Sequence, residues 1–265
     1  MSIMASIVTF ANKKGGSGKT STVVNTGGVL GQRGYRVLLV DLDPQAHLSF
    51  WSGVNTYDTY LSVYDALLGK CSPKDTLYKT EHGLYDVLPA STSFSSGFIK
   101  QLLDKPNPEG CLTKVLMDFK NDYDYILIDT PPTVAALTLN ALAASGYVMI
   151  PILLNFLAIE GLAQLTQTIY RINAAFNPDL RMSGIIPNQY DIRSNHSKRV
   201  IKEIHENFGD ALISPRIRND IKIAEAPEYR IPINLFAPHS RGCMDFNLLA
   251  DFILEKIKSG RGESK

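Results

Sequence analysis

SIVTFANKKGGSGKTSTVVNTGGVL, residues 6–30, decides the fold class. Residues 6–10 are a short β-prone run; the chain then breaks at Gly15, Gly16 and Gly18, and residues 19–30 have helical composition. In the order strand, tight loop, helix, backbone N–H groups converge on an anion. Glycines let the backbone approach closely, and the helix N-terminus adds its dipole and unpaired donors. Gly15, Gly16, Ser17, Gly18, Lys19, Thr20 and Ser21 are therefore the expected cradle of a phosphate chain. Lys19 supplies positive charge for the β and γ phosphates, and the Thr20 hydroxyl suits a Mg²⁺ ligand. The usual spacing G-x-x-x-x-G-K-[ST] asks for glycine at position 13, where Lys13 stands, so the strict pattern fails while GGSGKT remains.

Outward from this stretch, further apolar runs recur: RVLLVD at 36–41, YILID at 125–129, YVMIPI at 147–152 and SGIIP at 183–187. Such runs predict strands buried on both faces. Helical candidates lie at 137–144, 159–175 and 196–208, and a last one at 246–257 carries Phe246, Leu249, Ile253 and Ile257 at helical spacing. Strand alternating with helix predicts an α/β, doubly wound, mostly parallel sheet with helices on both faces. No Pro/Gly/Ser-rich linker and no internal repeat divides the chain, so residues 1–265 read as one domain. Residues 51–120 are less regular, with short helices near 61–68 and 112–119, a strand near 84–88 ended by Pro89, and a Ser-rich surface excursion at 91–96.

The 265 residues carry 27 Lys+Arg against 26 Asp+Glu, a net charge of +1, which excludes a polybasic or polyacidic tail. With 45% hydrophobic and 20% charged residues, the chain buries enough apolar surface to offset its ordering entropy. Cys71, Cys111 and Cys243 are odd in number and far apart, so each reads as a small apolar residue outside any disulfide framework. The opening MSIMASIVTF lacks the basic region and long apolar stretch of a secretory leader, and no apolar segment reaches the ~20 residues of a bilayer span. A reducing, cytoplasmic setting is expected.

Two strand ends carry carboxylates to the edge where ligands of open parallel sheets collect. RVLLVDLDPQ places Asp41 and Asp43 at i and i+2, on one face of an extended chain, where Mg²⁺ or an organised water would offset their repulsion. An Asp-Pro turn closing the strand accounts for the same residues. YDYILIDTPP ends its strand in Asp129, an apolar run delivering one acid to the water shell of a magnesium ion. The implied chemistry is phosphoryl transfer to water, driven by positioning and charge, with no covalent nucleophile. Thr130 follows Asp129 where a catalytic glutamate would stand, so intrinsic hydrolysis is expected to be slow and to depend on a second subunit or partner.

KKGGSGKT at 13–20, DLDPQ at 41–45, IDTPP at 128–132 and the later SGIIPNQYD and IRNDIKIAEAPEYRIPI resemble the ParA/MinD ATPases, over most of the chain except 51–120. The resemblance implies a P-loop NTPase fold, ATP and Mg²⁺ as cofactors, and an ATP-sandwich homodimer. It assigns Lys14 the phosphates bound by the other subunit and leaves Lys19 the ordinary phosphate-loop role. Asp43 then positions the attacking water and the metal shell, Asp41 lies near Mg²⁺ with Thr20 and Asp129, and Gln45 is an accessory. Asn188 would present the adenine edge, although an Asn-Gln-Tyr-Asp turn explains it equally well. Lys13 receives no role.

ParA relatives bind DNA without sequence specificity when ATP-dimerised, whereas MinD relatives bind membranes through an amphipathic tail. Between positions 193 and 222 stand seven basic residues against four acidic. Lys198 and Lys202, at i and i+4, share the solvent side of a helix whose apolar face is Val200, Ile204 and Phe208. With Arg199, Arg216, Arg218 and Lys222 they make the expected phosphate-facing stripe; an ordinary solvated helix face is the alternative. The polar SGRGESK ending offers no apolar anchor, which places membrane binding second. The expectation is a nucleoid-associated positioning ATPase, with hydrolysis stimulated by a ParB-like or other cargo adaptor. A MinD-like membrane ATPase and a nucleotide-dependent non-enzymatic scaffold are the alternatives.

Overall fold

The computed structural model describes residues 4–56, 61–93, 96–133 and 135–262. The chain runs β1 (Ser6–Phe10), α1 (Lys19–Gln32), β2 (Val37–Asp41), α2 (His47–Trp51), α3 (Val63–Leu68), β3 (Tyr78–Lys79), β4 (Asp86–Leu88), α4 (Ser96–Leu103) and α5 (Cys111–Met117). It continues through β5 (Tyr125–Asp129), α6 (Ala135–Ala144), β6 (Tyr147–Leu153), α7 (Ala158–Ala175), β7 (Arg181–Asn188), α8 (Asn195–Phe208), α9 (Ile221–Glu225), α10 (Ile233–Phe236) and α11 (Arg241–Gly260). The strands form one seven-stranded sheet in the order β3-β4-β2-β5-β1-β6-β7, with every pairing parallel except β3 with β4. The doubly wound, mostly parallel α/β architecture is therefore as expected.

Period-2 alternation along the strands builds two faces. Val8 and Phe10 of β1, Val37 and Leu39 of β2, Leu127 of β5 and Met149 of β6 meet α1 and α11 on one side. Ile7, Leu38, Val40, Ile126 and Ile128 meet α3 to α6 on the other, and Val148, Ile150 and Ile152 continue that side toward α7 and α8. The final helix is a docking helix, as its spacing predicts: Phe246, Leu249, Ile253 and Ile257 are all buried.

The region from 51 to 120 holds more order than its sequence suggests. α4 follows directly on the Ser-rich excursion, of which residues 94–95 lie outside the described residues, and buries Phe98 and Leu102. β3, only two residues long, and α2, five residues long, are too short for a period to register. Cys111 and Cys243 are buried and Cys71 is half-buried, all as free thiols.

Candidate nucleotide site

Sheet register gathers the motif residues at one edge. Phe10, the last residue of β1, lies opposite Asp129, and Asp129 lies opposite Asp41. The loop leaving β1 thus begins beside two strand-end carboxylates. Within it Gly16 (φ +71°) and Gly18 (φ +84°) are left-handed, a conformation that favours glycine, and the space around a Cβ at Gly15 or Gly16 is open. Asn12, which no sequence motif singles out, braces the loop: its Nδ2 donates to the Pro151 carbonyl at 2.6 Å and its Oδ1 accepts the Lys14 N–H at 2.9 Å. Thr22 ties its hydroxyl to the Gly18 carbonyl at 2.6 Å, and Thr130 ties its own to the Phe10 carbonyl at 2.8 Å. Lys13 and Lys14 are exposed, whereas Ser17 and Lys19 are buried.

The electrostatics of this edge are set first by burial. Thr20 donates its hydroxyl to Asp129 Oδ2 at 2.5 Å, while Asp129 Oδ1 is buried with no hydrogen-bond partner. Burial, and then the Asp41 charge, pushes the Asp129 carboxyl up to about 8. Burial likewise raises Asp41, to about 7. Burial lowers Lys19, against the pull of Asp129 and Asp43. A buried carboxylate oxygen left unpaired costs free energy that a cation would recover. Among the described residues no cluster of three or more His, Cys, Asp or Glu forms a ready-made cage. Mg²⁺ is held by one or two carboxylates and completes its shell with phosphate oxygens and water. Thr20 and Asp129, joined by their hydrogen bond, present oxygens of that kind.

Two of the expected site residues are also engaged within the protein. Both Asp41 oxygens accept hydrogen bonds: Oδ1 accepts the Asp43 N–H at 3.1 Å, and Oδ2 accepts the Ser49 N–H at 2.9 Å and the Ser49 hydroxyl at 2.7 Å. Asn188 spends its amide nitrogen on the Ser17 carbonyl at 2.9 Å and the Thr22 hydroxyl at 3.2 Å, so it braces the phosphate loop. It also borders a cavity of about 350 Å³ with Gly18, Ser21, Trp51, Gln189 and Arg218, adjoining the start of α1. Ser49 and Trp51 are silent in the sequence because neither lies in a recognisable motif.

The family comparison agrees with this geometry. Residues 5–182 match the family model described as an AAA domain. The chain is 37% identical to the chromosome-partitioning ATPase Soj of Treponema pallidum, over 96% of this chain and 98% of that one. It is 38% identical to the sporulation initiation inhibitor protein Soj of Bacillus subtilis, over 90% of this chain and 94% of the relative. The chain belongs to the Soj/ParA family of partitioning ATPases. A solved structure from Mycobacterium smegmatis, named cobyrinic acid a,c-diamide synthase and holding an ATP analogue and magnesium, superposes on this family member with a TM-score of 0.84. It is 33% identical and covers 97% of each chain.

The basic stripe of this Soj/ParA chain is only partly free. Lys198, Arg199 and Lys202 are exposed on α8 opposite buried Val200 and Ile204, as the spacing predicts. Lys202 lies 3.7 Å from Glu206, Lys222 pairs with Glu225 at 2.7 Å, and the Arg216 guanidinium sits 4.8 Å from the centre of the Tyr190 ring. Arg218 leaves the stripe. Its guanidinium forks onto Asp245, whose side chain is 5% exposed, at distances of 2.7–3.1 Å. Moving it to a phosphate would strand a buried carboxylate. Among the described residues Lys198 and Arg199 make no ion pair. Among them, too, no helix is long and apolar enough to cross a membrane.

Proposed function

We propose that the chain hydrolyses ATP with Mg²⁺, dimerises around two nucleotides, and in that state binds duplex DNA without sequence specificity. A cargo-bound adaptor protein stimulates hydrolysis and releases the dimer. The observation that carries the reading is the buried Asp129 carboxylate, one oxygen on Thr20 and the other unpartnered, at the mouth of a glycine loop containing Lys19. Support comes from a relative named as a chromosome-partitioning ATPase, another named as a chromosome partitioning protein, and a homologous structure holding an ATP analogue and magnesium.

In this reading the loop N–H groups of residues 15–20 and the Lys19 ammonium bind the phosphates, and Asn188 keeps the loop in shape from behind. Thr20 and Asp129, with Asp43 nearby, hold Mg²⁺, which neutralises charge on the phosphates when bound. Asp43 orients the attacking water and accepts its proton. Lys14, exposed on the loop, reaches the phosphates of the other subunit. The cavity beside Gly18 takes the base, and Lys198, Arg199, Lys202, Arg216 and Lys222 face DNA phosphates.

The test is cosedimentation of the protein with random-sequence duplex DNA and, separately, with anionic liposomes, under ADP or ATP at two salt concentrations. DNA binding that requires ATP and weakens with salt supports the proposal. Liposome binding alone replaces it with a membrane-positioning ATPase. Saturable ATP binding without hydrolysis, even on DNA, replaces it with a scaffold.

A further inference from the structure

We propose that Ser49 is a positioning residue for hydrolysis: its hydroxyl, locked between Asp41 and the backbone after β4, fixes the loop that carries Asp43. The inference rests on the ATPase reading above and deepens it.

Ser49 sits in the middle of α2 and is fully buried. Its N–H and its hydroxyl both donate to Asp41 Oδ2, and its oxygen in turn accepts the N–H of Ala90, beyond the end of β4, at 3.0 Å. Asp41 passes the constraint on, because its other oxygen accepts the Asp43 N–H. Asp41 and Asp129 are register neighbours and both fully buried, yet they are used differently. Asp129 keeps one oxygen without a partner, while Asp41 has both engaged by its own chain. One carboxylate is left for a ligand and the other is a strut.

The loop between strut and helix is held in an unfavourable shape. Ala46, buried and without the freedom of glycine, has φ +52°, and its N–H donates to the Asp43 carbonyl at 2.8 Å. Such backbone strain persists only where the surroundings over-determine it. The surroundings here are α2, pinned at its far end by the Trp51 indole N–H donating to the Ile231 carbonyl at 2.9 Å and by the Arg230 guanidinium 5.1 Å from the centre of the Phe50 ring. Ser49 is the joint between that frame and the Asp43 loop. Alanine at position 49 would leave the Ala90 N–H unpaired and take one of two donors from Asp41 Oδ2.

The experiment compares wild type, Ser49→Ala, Asp41→Asn and the double variant as full chains on duplex DNA. Ser49→Ala is expected to lower kcat about tenfold, the scale of removing one charge-assisted hydrogen bond. The KM for ATP, the Kd for ADP and the half-saturating Mg²⁺ concentration stay within about twofold, a split that general loss of structure would not produce. In the nucleotide-free protein the Asp43 amide exchanges about tenfold faster. The double variant is no slower than the worse single variant, because both act through one hydrogen bond. An unchanged kcat in Ser49→Ala, additive losses, or a Mg²⁺ requirement raised about tenfold overturns the inference. If Ser49→Ala does not fold, the Mg²⁺ requirement of Asp41→Asn decides: unchanged supports the strut, about tenfold higher makes Asp41 part of the metal shell. Wild type without ATP turnover removes the ATPase reading and this inference with it. Wild type that turns over beside an unimpaired Ser49→Ala removes this inference alone.

Discussion

Lys19, the first residue of α1, is 6% exposed and feels the charges of Asp129 and Asp43, whereas Lys198 and Arg199 stand in water on α8. At the nucleotide edge, charges are withdrawn from solvent and incompletely matched: Asp129 has an oxygen with no partner, and burial works against the ionised forms of Asp129, Asp41 and Lys19. On the stripe, charges are hydrated and two are matched by neighbours: Lys202 with Glu206 and Lys222 with Glu225. Withdrawing a charge costs free energy, so an unmatched buried charge marks a place a ligand completes. A hydrated charge costs little and marks nothing by itself. The two halves of the proposed function therefore stand on unequal ground, nucleotide binding on geometry and DNA binding on kinship and a reduced set of cations.

The largest effect expected on that comparison is at Lys19. Lys19→Ala removes the buried cation and is expected to weaken ATP binding at least about a hundredfold by isothermal titration. Lys198→Ala, the same chemical change in water, leaves ATP affinity within about twofold. Equal effects at the two positions would break the contrast. Next comes Asp43→Ala, expected to cut ATP turnover about a hundredfold while ADP affinity holds. The variant should elute as a persistent dimer with ATP on size-exclusion chromatography. A parallel loss of nucleotide binding would instead place Asp43 in ground-state binding.

The same contrast explains what is legible in the sequence. β1, β2, β5, β6 and most of β7 are buried on both faces, so each appears as a largely apolar run, and the motif residues sit at or just beyond their ends where chain order alone locates them. The pairing of Thr20 with Asp129 follows from the Mg²⁺ reading, since both serve one ion there. Ser49 is illegible because its partners, Asp41 and Ala90, are met only through the fold. Asn188 is legible as a site residue but its task is not, since a side-chain amide in sequence does not disclose that it packs on Gly18 and donates behind the loop. Arg218 counts with the cations in sequence because Asp245 is 27 residues away along the chain, beyond any local charge pattern.

A finer test divides the stripe itself. Reversing Lys198 and Arg199 together to glutamate is expected to weaken ATP-dependent DNA binding about tenfold and to reduce the slope of log K against log salt by about 2, near 0.9 for each phosphate no longer neutralised. Arg218→Ala is expected to leave that slope unchanged and to lower Tm by about 5 °C, because Asp245 loses the guanidinium that covers it. A salt slope that falls with Arg218→Ala and is untouched by the α8 reversals would move the DNA face away from α8.

The smallest effect is a pH dependence carried by the nucleotide edge alone. Burial raises the folded-state value of Asp41 to about 7 and of Asp129 to about 8, from the ordinary 3.8. A carboxyl raised on folding binds its proton more tightly in the folded state, so its contribution to stability is complete below the unfolded value and is lost as pH rises through the folded one. The nucleotide-free protein should therefore lose Tm between about pH 4 and pH 8, by about 2–4 °C for each kcal/mol that the two carboxyls contribute. Lys19, whose value is lowered, acts with the opposite sign, which is why the informative quantity is the difference between two profiles. Asp129→Asn cannot ionise and should flatten the decline, as should Mg²⁺ with ADP, which fills the unpaired position from outside. Lys198→Ala, changing a hydrated charge, should leave the profile parallel to wild type. Parallel profiles for Asp129→Asn and wild type would mean that the edge is already balanced without a ligand, and the distinction between the two regions would reduce to exposure.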